Sequence, residues 1–343
     1  MVIESKAPNR IDLCGGTLDI FPLYILLGLS IVINVSISIY SHCILEKIDE
    51  DILEINIKDL GKLYRVSKIE NIKNNFDTKL IYETLKAFNF DSLTGFRITT
   101  FNEAPLKSGL GASSALLITI IKNLMKTNKI LHSSFNDYDI IDFASFIEAK
   151  VLHTLTGKQD YIAAIYGGIN AIFFDKNQFV IERINSEKLI KELENYVILA
   201  YSGFEHESGN LNWAVIKEVL DKNNEVIDKL IKIQEISEDI YEVISLADVE
   251  KLGNLVKQEW NIRKTLTPYH TNKYIEEFCS AIDKYCWGYK LCGAAGGGTM
   301  LILTNKHNEV RKLIREFNFT ELKFDVDNSG LYTAVSNFSV TPS

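Results

Sequence analysis

The sequence predicts an α+β protein of two domains, and three observations support this. The first sixty residues alternate apolar and small polar side chains, as in Ile31–Tyr40, which is typical of half-buried strands. Residues 211–265 instead repeat apolar side chains at helical spacing. The composition changes between residues 176 and 195, and 343 residues are enough for two domains. We therefore expect one domain at residues 1–185 and another at residues 186–343.

In the first domain, alternation and turn residues predict strands, and helical spacing predicts helices. The predicted hairpins pair Ile31–Tyr40 with Cys43–Ile48, Glu54–Ile57 with Lys62–Val66, and Ile169–Phe174 with Gln178–Ile184. A single strand, Gly95–Phe101, leads into a glycine-rich stretch. Helices are predicted at residues 78–88, Ala115–Leu124 and Asp137–Thr154.

The predicted second domain is mostly helical. A short helix at Glu187–Leu193 precedes a strand at Val197–Tyr201. The helical stretch Leu211–Thr265 is broken where turn-forming residues interrupt the apolar spacing, at Lys222–Asn224 and Ser245–Asp248. The remaining predicted elements are helices at Asn272–Tyr285 and Asn308–Phe317 and strands at Tyr289–Cys292 and Thr299–Thr304.

Composition and charge exclude several classes of function. The formal net charge of −8 leaves no basic excess to neutralise nucleic-acid phosphates. The apolar segment Ile20–Tyr40 is interrupted by Pro22 and Gly28 and alternates with period two from Ile31, so we expect a strand and no membrane span. The five cysteines form no CxxC pair, and the N-terminus lacks the pattern of a signal peptide. We therefore expect reduced thiols in a cytoplasmic protein.

The most informative stretch is residues 105–116, which read Pro-Leu-Lys-Ser-Gly-Leu-Gly-Ala-Ser-Ser-Ala-Leu. It joins a predicted strand to a predicted helix, so backbone N–H groups and the positive end of a helix dipole meet at one point. Gly109 and Gly111 let an anion approach the backbone because no Cβ intervenes. Ser113 and Ser114 add hydroxyls suited to a phosphate oxygen or to Mg²⁺. The stretch predicts a phosphate-binding loop, although it matches neither the P-loop nor the dinucleotide fingerprint.

A second motif lies near the N-terminus, where residues 7–19 read Ala-Pro-Asn-Arg-Ile-Asp-Leu-Cys-Gly-Gly-Thr-Leu-Asp. Pro8 predicts one turn, and the paired Gly15 and Gly16 predict another at which the backbone approaches a ligand. Asp19 is a candidate to accept hydrogen bonds from substrate hydroxyls. The alternative is a plain turn with a local ion pair among the charged residues Arg10, Asp12 and Asp19.

A third motif, residues 291–300, carries four glycines in six positions between two predicted strands. Because glycine weakens a strand interior, this composition suits a loop pressed against a ligand or against the phosphate loop. A structural bend is the alternative.

Two acidic residues of interest lie between the glycine-rich stretches 105–116 and 291–300. Asp160 follows a glycine turn at Gly157, where it is either a helix N-cap or an acid that orients or deprotonates an attacking hydroxyl. Glu148 lies on a predicted helix. It is either a solvent-facing residue or an Mg²⁺ ligand that acts together with a serine hydroxyl.

These three motifs, in the chain order 7–19, 105–116 and 291–300, resemble the GHMP kinase superfamily, which includes galactokinase, homoserine kinase, mevalonate kinase and phosphomevalonate kinase. The resemblance extends from Ala7 to Thr304. Residues 10–19 and 259–266 (Glu-Trp-Asn-Ile-Arg-Lys-Thr-Leu) are most similar to the sugar-kinase branch that acts on heptose 7-phosphate and fucose. The resemblance implies an N-terminal ribosomal-protein-S5-like α/β domain and a C-terminal ferredoxin-like α+β domain. It also implies ATP and Mg²⁺ as cofactors.

The resemblance further implies a role for individual residues. Asp160 takes the position of the catalytic aspartate, and Arg10 that of a basic residue that steadies the attacking oxygen or the transferring phosphate. Ser113 and Glu148 would hold Mg²⁺. The residues that would bind ATP are Pro105, Lys107, Ser108, Gly109, Leu110, Gly111, Ala112, Ser113 and Ser114. The residues that would contact the substrate are Gly15, Gly16, Thr17, Asp19, Gly296 and Gly297.

The acceptor is less well defined than the donor. Galactokinases carry Gly-Glu-His-Thr-Asp where residues 15–19 read Gly-Gly-Thr-Leu-Asp, so contacts to galactose would differ. We predict an ATP-dependent kinase that phosphorylates a hydroxyl of a sugar or sugar phosphate, heptose 7-phosphate-like or fucose-like. The alternatives are a mevalonate-type alcohol kinase, a decarboxylase of the same superfamily, and a catalytically inactive binding protein. The expected partner is a small molecule, with no nucleic acid and no membrane; a homodimer is one option for the assembly.

Overall fold

The structure, a computed structural model, describes residues 1–90, 93–127, 135–176, 178–204, 208–293 and 296–336. The strands within these residues are β1 (Val2–Cys14), β2 (Ser30–Lys47), β3 (Leu53–Ile57), β4 (Lys62–Val66), β5 (Phe96–Asn102), β6 (Ile169–Phe174), β7 (Phe179–Arg183), β8 (Val197–Tyr201), β9 (Gly288–Leu291), β10 (Thr299–Leu303), β11 (Thr320–Leu322) and β12 (Tyr332–Ser336). They confirm a mixed fold of helices and strands.

The helices fill the segments between these strands. They are α1 (Leu23–Leu27), α2 (Lys79–Ala87), α3 (Ala112–Thr127), α4 (Asp137–Leu152), α5 (Gln159–Tyr166), α6 (Glu187–Tyr196), α7 (Ser208–Leu220), α8 (Asn224–Leu246), α9 (Val249–Arg263), α10 (Lys273–Ile282) and α11 (His307–Glu316). The two breaks predicted in the long helical stretch are confirmed as the gaps that separate α7, α8 and α9. No helix among the described residues combines the length and the apolar character needed to cross a bilayer.

The strands form two sheets. The eight-stranded sheet has the order β12-β1-β2-β5-β3-β4, and β6 extends from β2 to β7. The four-stranded sheet has the order β11-β8-β10-β9. Because β12 pairs with β1, residues beyond the expected boundary at 185/186 complete the larger sheet. The boundary itself stays a prediction.

Two of the three predicted hairpins are confirmed and one is wrong. β3 pairs with β4 and β6 pairs with β7, both antiparallel. Residues Ile31–Tyr40 and Cys43–Ile48, by contrast, lie largely on the single strand β2. Ser41 and His42, between them, find tertiary partners: Ser41 Oγ donates to the Ala112 carbonyl at 3.0 Å, and the His42 ring stacks on Phe101. Satisfied polar side chains let the strand continue where the sequence indicated a turn.

Pro8 also lies inside a strand rather than at the predicted turn. β1 runs through it, and the pairing of β1 with β2 shifts register between Pro8 and Asn9. Such an irregularity suits a residue that cannot donate a ladder hydrogen bond. β1 therefore continues as a buried strand to Cys14 and delivers its polar side chains to the centre of the molecule.

The larger sheet is covered on both faces. Residues of α3, α4 and α5 pack against one face in a core that includes Val32 and Ile172. α8 and α9 pack against the other face in a core that includes Ile33 of the larger sheet and Leu301 of the smaller one. This second core joins the two sheets and contains Ile11 and Leu13 of β1, so the C-terminal half of β1 lies between the larger sheet's helices and the smaller sheet.

Candidate active site

The glycine-rich loop lies between β5 and α3, as the sequence predicts. α3 begins at Ala112, directly after the loop, and the Ala115 amide donates to the Gly111 carbonyl at 3.0 Å. Gly109 and Gly111 have φ angles of +77° and +76°, in the left-handed region that favours glycine. The unpaired N–H groups of the first turn of α3 therefore face the loop, which is the arrangement of an anion-binding helix N-terminus.

The third glycine motif presses against this loop. A Cβ at Gly293 would lie 2.7 Å from the Gly109 carbonyl oxygen, and one at Gly298 would lie 2.6 Å from that of Ser108. The Thr299 amide donates to the Ser108 carbonyl at 2.7 Å. Of the two alternatives predicted for this motif, close loop–loop packing explains these glycines better than a bend.

Gly296 and Gly297 face other parts of the chain. The Gly296 amide donates to the His270 carbonyl at 2.7 Å, and Gly297 is buried. Residues 294 and 295 lie outside the described residues. A contact of Gly296 or Gly297 with substrate therefore stays a prediction.

Arg10 connects the phosphate loop to Asp160. Its Nε and Nη2 lie 2.8 and 2.7 Å from Asp160 Oδ1, and its Nη1 donates to the Gly109 carbonyl at 2.6 Å. Asp160 is the second residue of α5, whose N-cap is Lys158, so the N-cap interpretation of Asp160 is wrong. A Cβ at Gly111 would lie 3.0 Å from Asp160 Oδ2. The two residues predicted to be catalytic thus meet at the phosphate loop.

The environment of Asp160 favours proton transfer. Burial raises the pKa of the Asp160 carboxyl, and the negative charge of Asp12 acts in the same direction. The positive charge and the hydrogen bonds of Arg10 oppose this shift but do not cancel it. A carboxylate whose pKa is raised toward neutrality is a better proton acceptor than an exposed one.

Glu148 is buried beside the start of α3, so the solvent-facing alternative is wrong. Ser114 Oγ donates to Glu148 Oε2 at 2.7 Å, and the hydroxyl of Tyr161 bonds to the same oxygen. Burial raises the pKa of Glu148, and its hydrogen bonds to Tyr161, Ser114 and Ser113 counteract that shift. Ser113 itself is exposed at the helix N-terminus. The predicted metal residues thus lie together, next to the phosphate loop.

The predicted substrate residues form a tight loop after β1. A Cβ at Gly15 would lie 2.2 Å from the Ile31 carbonyl oxygen, and one at Gly16 would lie 2.4 Å from Asp12 Oδ2. Thr17 has a φ of +87° although it is β-branched, which costs conformational energy. Asp19 is buried and accepts a hydrogen bond of 3.0 Å from the Gln159 amide, one residue before Asp160. Burial raises the pKa of Asp19 to about 6.

A cluster of four buried charges lies beneath this loop. Arg263 Nη1 lies 3.1 Å from Asp12 Oδ2 and 3.3 Å from Glu259 Oε1. Lys290 Nζ lies 3.4 Å from Asp12 Oδ2 and 3.1 Å from Glu259 Oε2. The charges balance, as buried ions require. Sequence reasoning did not find this cluster, although two signals were available: the charged residues within 259–266, and Lys290 in an otherwise apolar strand.

Comparison with known proteins places this geometry in context. Residues 79–168 match the family model described as "GHMP kinases N terminal domain". The chain is 26% identical over 335 residues to the D-glycero-alpha-D-manno-heptose 7-phosphate kinase of Campylobacter jejuni, covering 93% of this chain and 97% of that one. It is also 26% identical over 337 residues to the bifunctional fucokinase/GDP-fucose pyrophosphorylase of Arabidopsis thaliana, covering 94% of this chain but only 31% of that longer protein.

Among solved structures, the chain resembles a D-glycero-D-manno-heptose 1-phosphate kinase from Bacteriodes thetaiotaomicron. The TM-score is 0.79 at 23% identity, over 98% of this chain and 100% of the other. Mevalonate and homoserine kinases also match, over smaller shares of this chain. The structural likeness confirms the fold that the motifs predict. Together with the sequence relatives, it supports a phosphotransferase with a hydroxyl acceptor.

Proposed function

We propose that this chain, a phosphotransferase with a GHMP kinases N terminal domain, transfers the γ-phosphoryl group of ATP to a hydroxyl of a sugar or sugar phosphate. The observation that carries the proposal is the bridge made by Arg10. It holds the Asp160 carboxylate and the Gly109 carbonyl at once, at 2.7 and 2.6 Å. The proton acceptor and the phosphate loop are thus held together by one buried side chain.

Each part of the site has a role in this reaction. The N-terminus of α3 and the amides of the glycine loop would neutralise charge on the ATP phosphates. Asp160 would orient the acceptor hydroxyl and accept its proton as the new O–P bond forms and the bond to ADP breaks. Arg10 would keep Asp160 in place. Its second proposed role is to steady the transferring phosphate. Positioning and electrostatic stabilisation account for most of the barrier reduction in this class of reaction.

The residues near the loop also fit Mg²⁺. When bound, Mg²⁺ would neutralise negative charge on the ATP phosphates. Within the described ranges, no three His, Cys, Asp or Glu residues lie together as a metal site. Mg²⁺ is nevertheless commonly held by one or two carboxylates together with substrate phosphates. Glu148, with the exposed Ser113 hydroxyl beside it, provides such a partial oxygen donor set.

The class of acceptor substrate is inferred from the relatives and from the loop after β1, residues 15–19, which we call the acceptor loop. The relatives named for heptose 7-phosphate and fucose cover nearly all of this chain, which favours a sugar or sugar phosphate. Asp19, buried beside the start of α5, is the proposed contact for sugar hydroxyls. The five cysteines are free thiols, which is compatible with the cytoplasmic location that the sequence predicts. A mevalonate-type kinase and a decarboxylase remain the alternatives to be tested.

The test is an ADP-release assay with purified protein, ATP and Mg²⁺ against a panel of acceptors. The panel contains fucose, a D-glycero-D-manno-heptose 7-phosphate, mevalonate and homoserine, with a water blank to measure hydrolysis. We expect acceptor-dependent ADP release with a sugar or sugar phosphate and no CO₂ evolution. ADP release with mevalonate alone, or CO₂ released in step with ADP, would contradict the proposed acceptor class. No turnover with any member would favour an inactive binding protein.

A further inference from the structure

The side chain of Arg263 lies where three distant segments of the chain meet. Its Nη2 donates to Thr17 Oγ1 at 3.3 Å and to the Gly293 carbonyl at 2.8 Å. Its Nη1 lies 3.1 Å from Asp12 Oδ2 on β1. Only 2% of the side chain is exposed. One guanidinium therefore ties the acceptor loop, residues 15–19, to the third glycine motif and to β1.

We infer that Arg263 is a positioning residue for the acceptor: it fixes the acceptor loop against the third glycine motif. Use of the acceptor therefore depends on Arg263 more than use of ATP does. That the loop serves an acceptor substrate rests on the proposed function. That Arg263 fixes the loop is a separate claim, which can be measured without a substrate. Arg10, rather than Arg263, holds the phosphate loop, through the Gly109 carbonyl. Arg10 thus holds the phosphate loop, and Arg263 holds the acceptor loop.

The acceptor loop has little freedom to adjust if the guanidinium is changed. A Cβ at Gly16 would lie 2.8 Å from Arg263 Nη1, so the backbone of the loop already rests on this group. Thr17 is held at a positive φ that a β-branched residue rarely adopts, and its hydroxyl accepts from Arg263. Such backbone strain persists only where surrounding contacts over-determine it. Removal of the Arg263 contact is therefore expected to release the loop.

Charge and shape of Arg263 can be separated by substitution. Arg263→Lys keeps a positive charge beside Asp12 and Glu259, so the buried cluster stays neutral. A lysine ammonium is a single point of donation, and it cannot reproduce the planar fork that contacts Asp12 with one nitrogen and Thr17 and Gly293 with the other. A loss in Arg263→Lys is thus a loss of geometry rather than of charge.

Glu259→Gln is the matched control. Glu259 belongs to the same buried cluster and contacts Arg263 and Lys290. Unlike Arg263, it makes no hydrogen bond to the acceptor loop or to Gly293 within the part of the chain that the structure describes. Glu259→Gln leaves a buried positive charge uncompensated, and Arg263→Lys loses hydrogen bonds of the guanidinium fork, so both variants are expected to lower the thermal unfolding midpoint. A purely structural role for Arg263 would make them alike in every other respect.

The experiment measures KM for the acceptor and for ATP, together with hydrogen–deuterium exchange over residues 15–20. The amides of Leu18 and Ile20 donate to the Gly15 and Thr17 carbonyls within the loop and report its order. For Arg263→Lys we expect about a tenfold higher acceptor KM, the size of one lost charged hydrogen bond, and faster exchange at these amides. The KM for ATP should stay within about twofold, because the phosphate loop is held by Arg10. Glu259→Gln should leave both loop amides protected.

Wild-type exchange and acceptor KM in Arg263→Lys would overturn the inference, as would equal exchange in the two variants. Hydrogen–deuterium exchange is measured without any acceptor, so it tests the positioning of the loop independently of activity. If wild-type protein phosphorylates none of the sugars, only the proposed function is contradicted. Thr17→Val serves if Arg263→Lys does not fold, because it removes only the accepting hydroxyl. It should raise exchange at Leu18, and protection equal to wild type would again overturn the inference.

Discussion

The donor side and the acceptor side of this site are built in opposite ways. The donor side is one continuous segment, residues 105–114, which its own glycines bend and which leads directly into α3, with Arg10 and the third glycine motif packed against it. The acceptor side is assembled from residues 15–19, the start of α5, and Arg263, held by contacts that join residues 140 to 251 positions apart. A contiguous site can be recognised from a motif, whereas an assembled site is visible only once the chain has folded.

Asp160 lies where the two sides meet, so its substitution has the largest expected effect. Asp160→Asn removes the proton acceptor but keeps the size of the side chain. We expect kcat to fall by roughly 10² to 10⁴-fold, the usual contribution of general acid–base catalysis, with ATP affinity nearly unchanged. Steady-state kinetics and titration with ATP check this. Asp221→Asn, at an exposed i,i+4 ion pair, is the control and should keep wild-type turnover. Wild-type kcat in Asp160→Asn would refute the assigned role.

A pair of glycine variants tests the donor loop at the point where it meets Asp160. Gly111 and Gly61 both have positive φ angles, +76° and +62°, but a Cβ at Gly111 would meet the Asp160 carboxylate while nothing lies within 4 Å of one at Gly61. Gly111→Ala is expected to lower kcat/KM for ATP by about tenfold or more, because strain of 1–3 kcal/mol falls on the loop. Gly61→Ala should cost about 1 kcal/mol of stability and no activity. Similar kinetics in the two variants would mean that the loop tolerates a side chain.

The acceptor side is expected to carry a cost in stability that depends on pH. Burial raises the pKa of Asp19 to about 6 from its ordinary 3.8, so the folded state binds more protons than the unfolded state between these values. The free energy of unfolding therefore falls as pH rises through this window. Asp19→Asn, which cannot ionise, should be more stable than wild type by about 2 kcal/mol at pH 7.5. It should also use the acceptor less well.

Urea unfolding of both proteins at pH 7.5 and pH 4.5 measures this difference. The advantage of Asp19→Asn should shrink by at least half at the lower pH, where wild-type Asp19 is protonated in the folded state and partly protonated in the unfolded state. An advantage of equal size at both pH values would show that ionisation of Asp19 is not its cause.

Local sequence signals predicted the glycine loop and most secondary structure correctly. The glycine loop and the helix after it depend on residues that are adjacent in the chain, and the order of strand, loop and helix is confirmed. The prediction of a hairpin around Ser41 and His42 is wrong because partners far away in sequence accommodate both: Ser41 bonds to the Ala112 carbonyl, and His42 bonds to Glu103 and stacks on Phe101. No local pattern reports such partners.

The same limit applies to the candidate site. The residue types at positions 10 and 160 follow from the motifs, but the contact between Arg10 and Asp160 spans 150 positions and required the folded chain. Asp12 and Lys290 are ordinary residues in the sequence, and only the fold makes them a buried pair. Motifs thus predicted the residues that would bind or react, and the structure shows which residues hold them in place.

The central claim is that a phosphoryl group passes directly from the donor side to a hydroxyl on the acceptor side. The most direct test incubates wild-type protein with Mg²⁺, [γ-³²P]ATP and each sugar or sugar phosphate of the panel, then separates the products and counts the label. The account predicts label in a phosphorylated sugar, with one ADP formed for each labelled molecule. Label recovered only as inorganic phosphate, or label that never leaves ATP with any sugar, would contradict it.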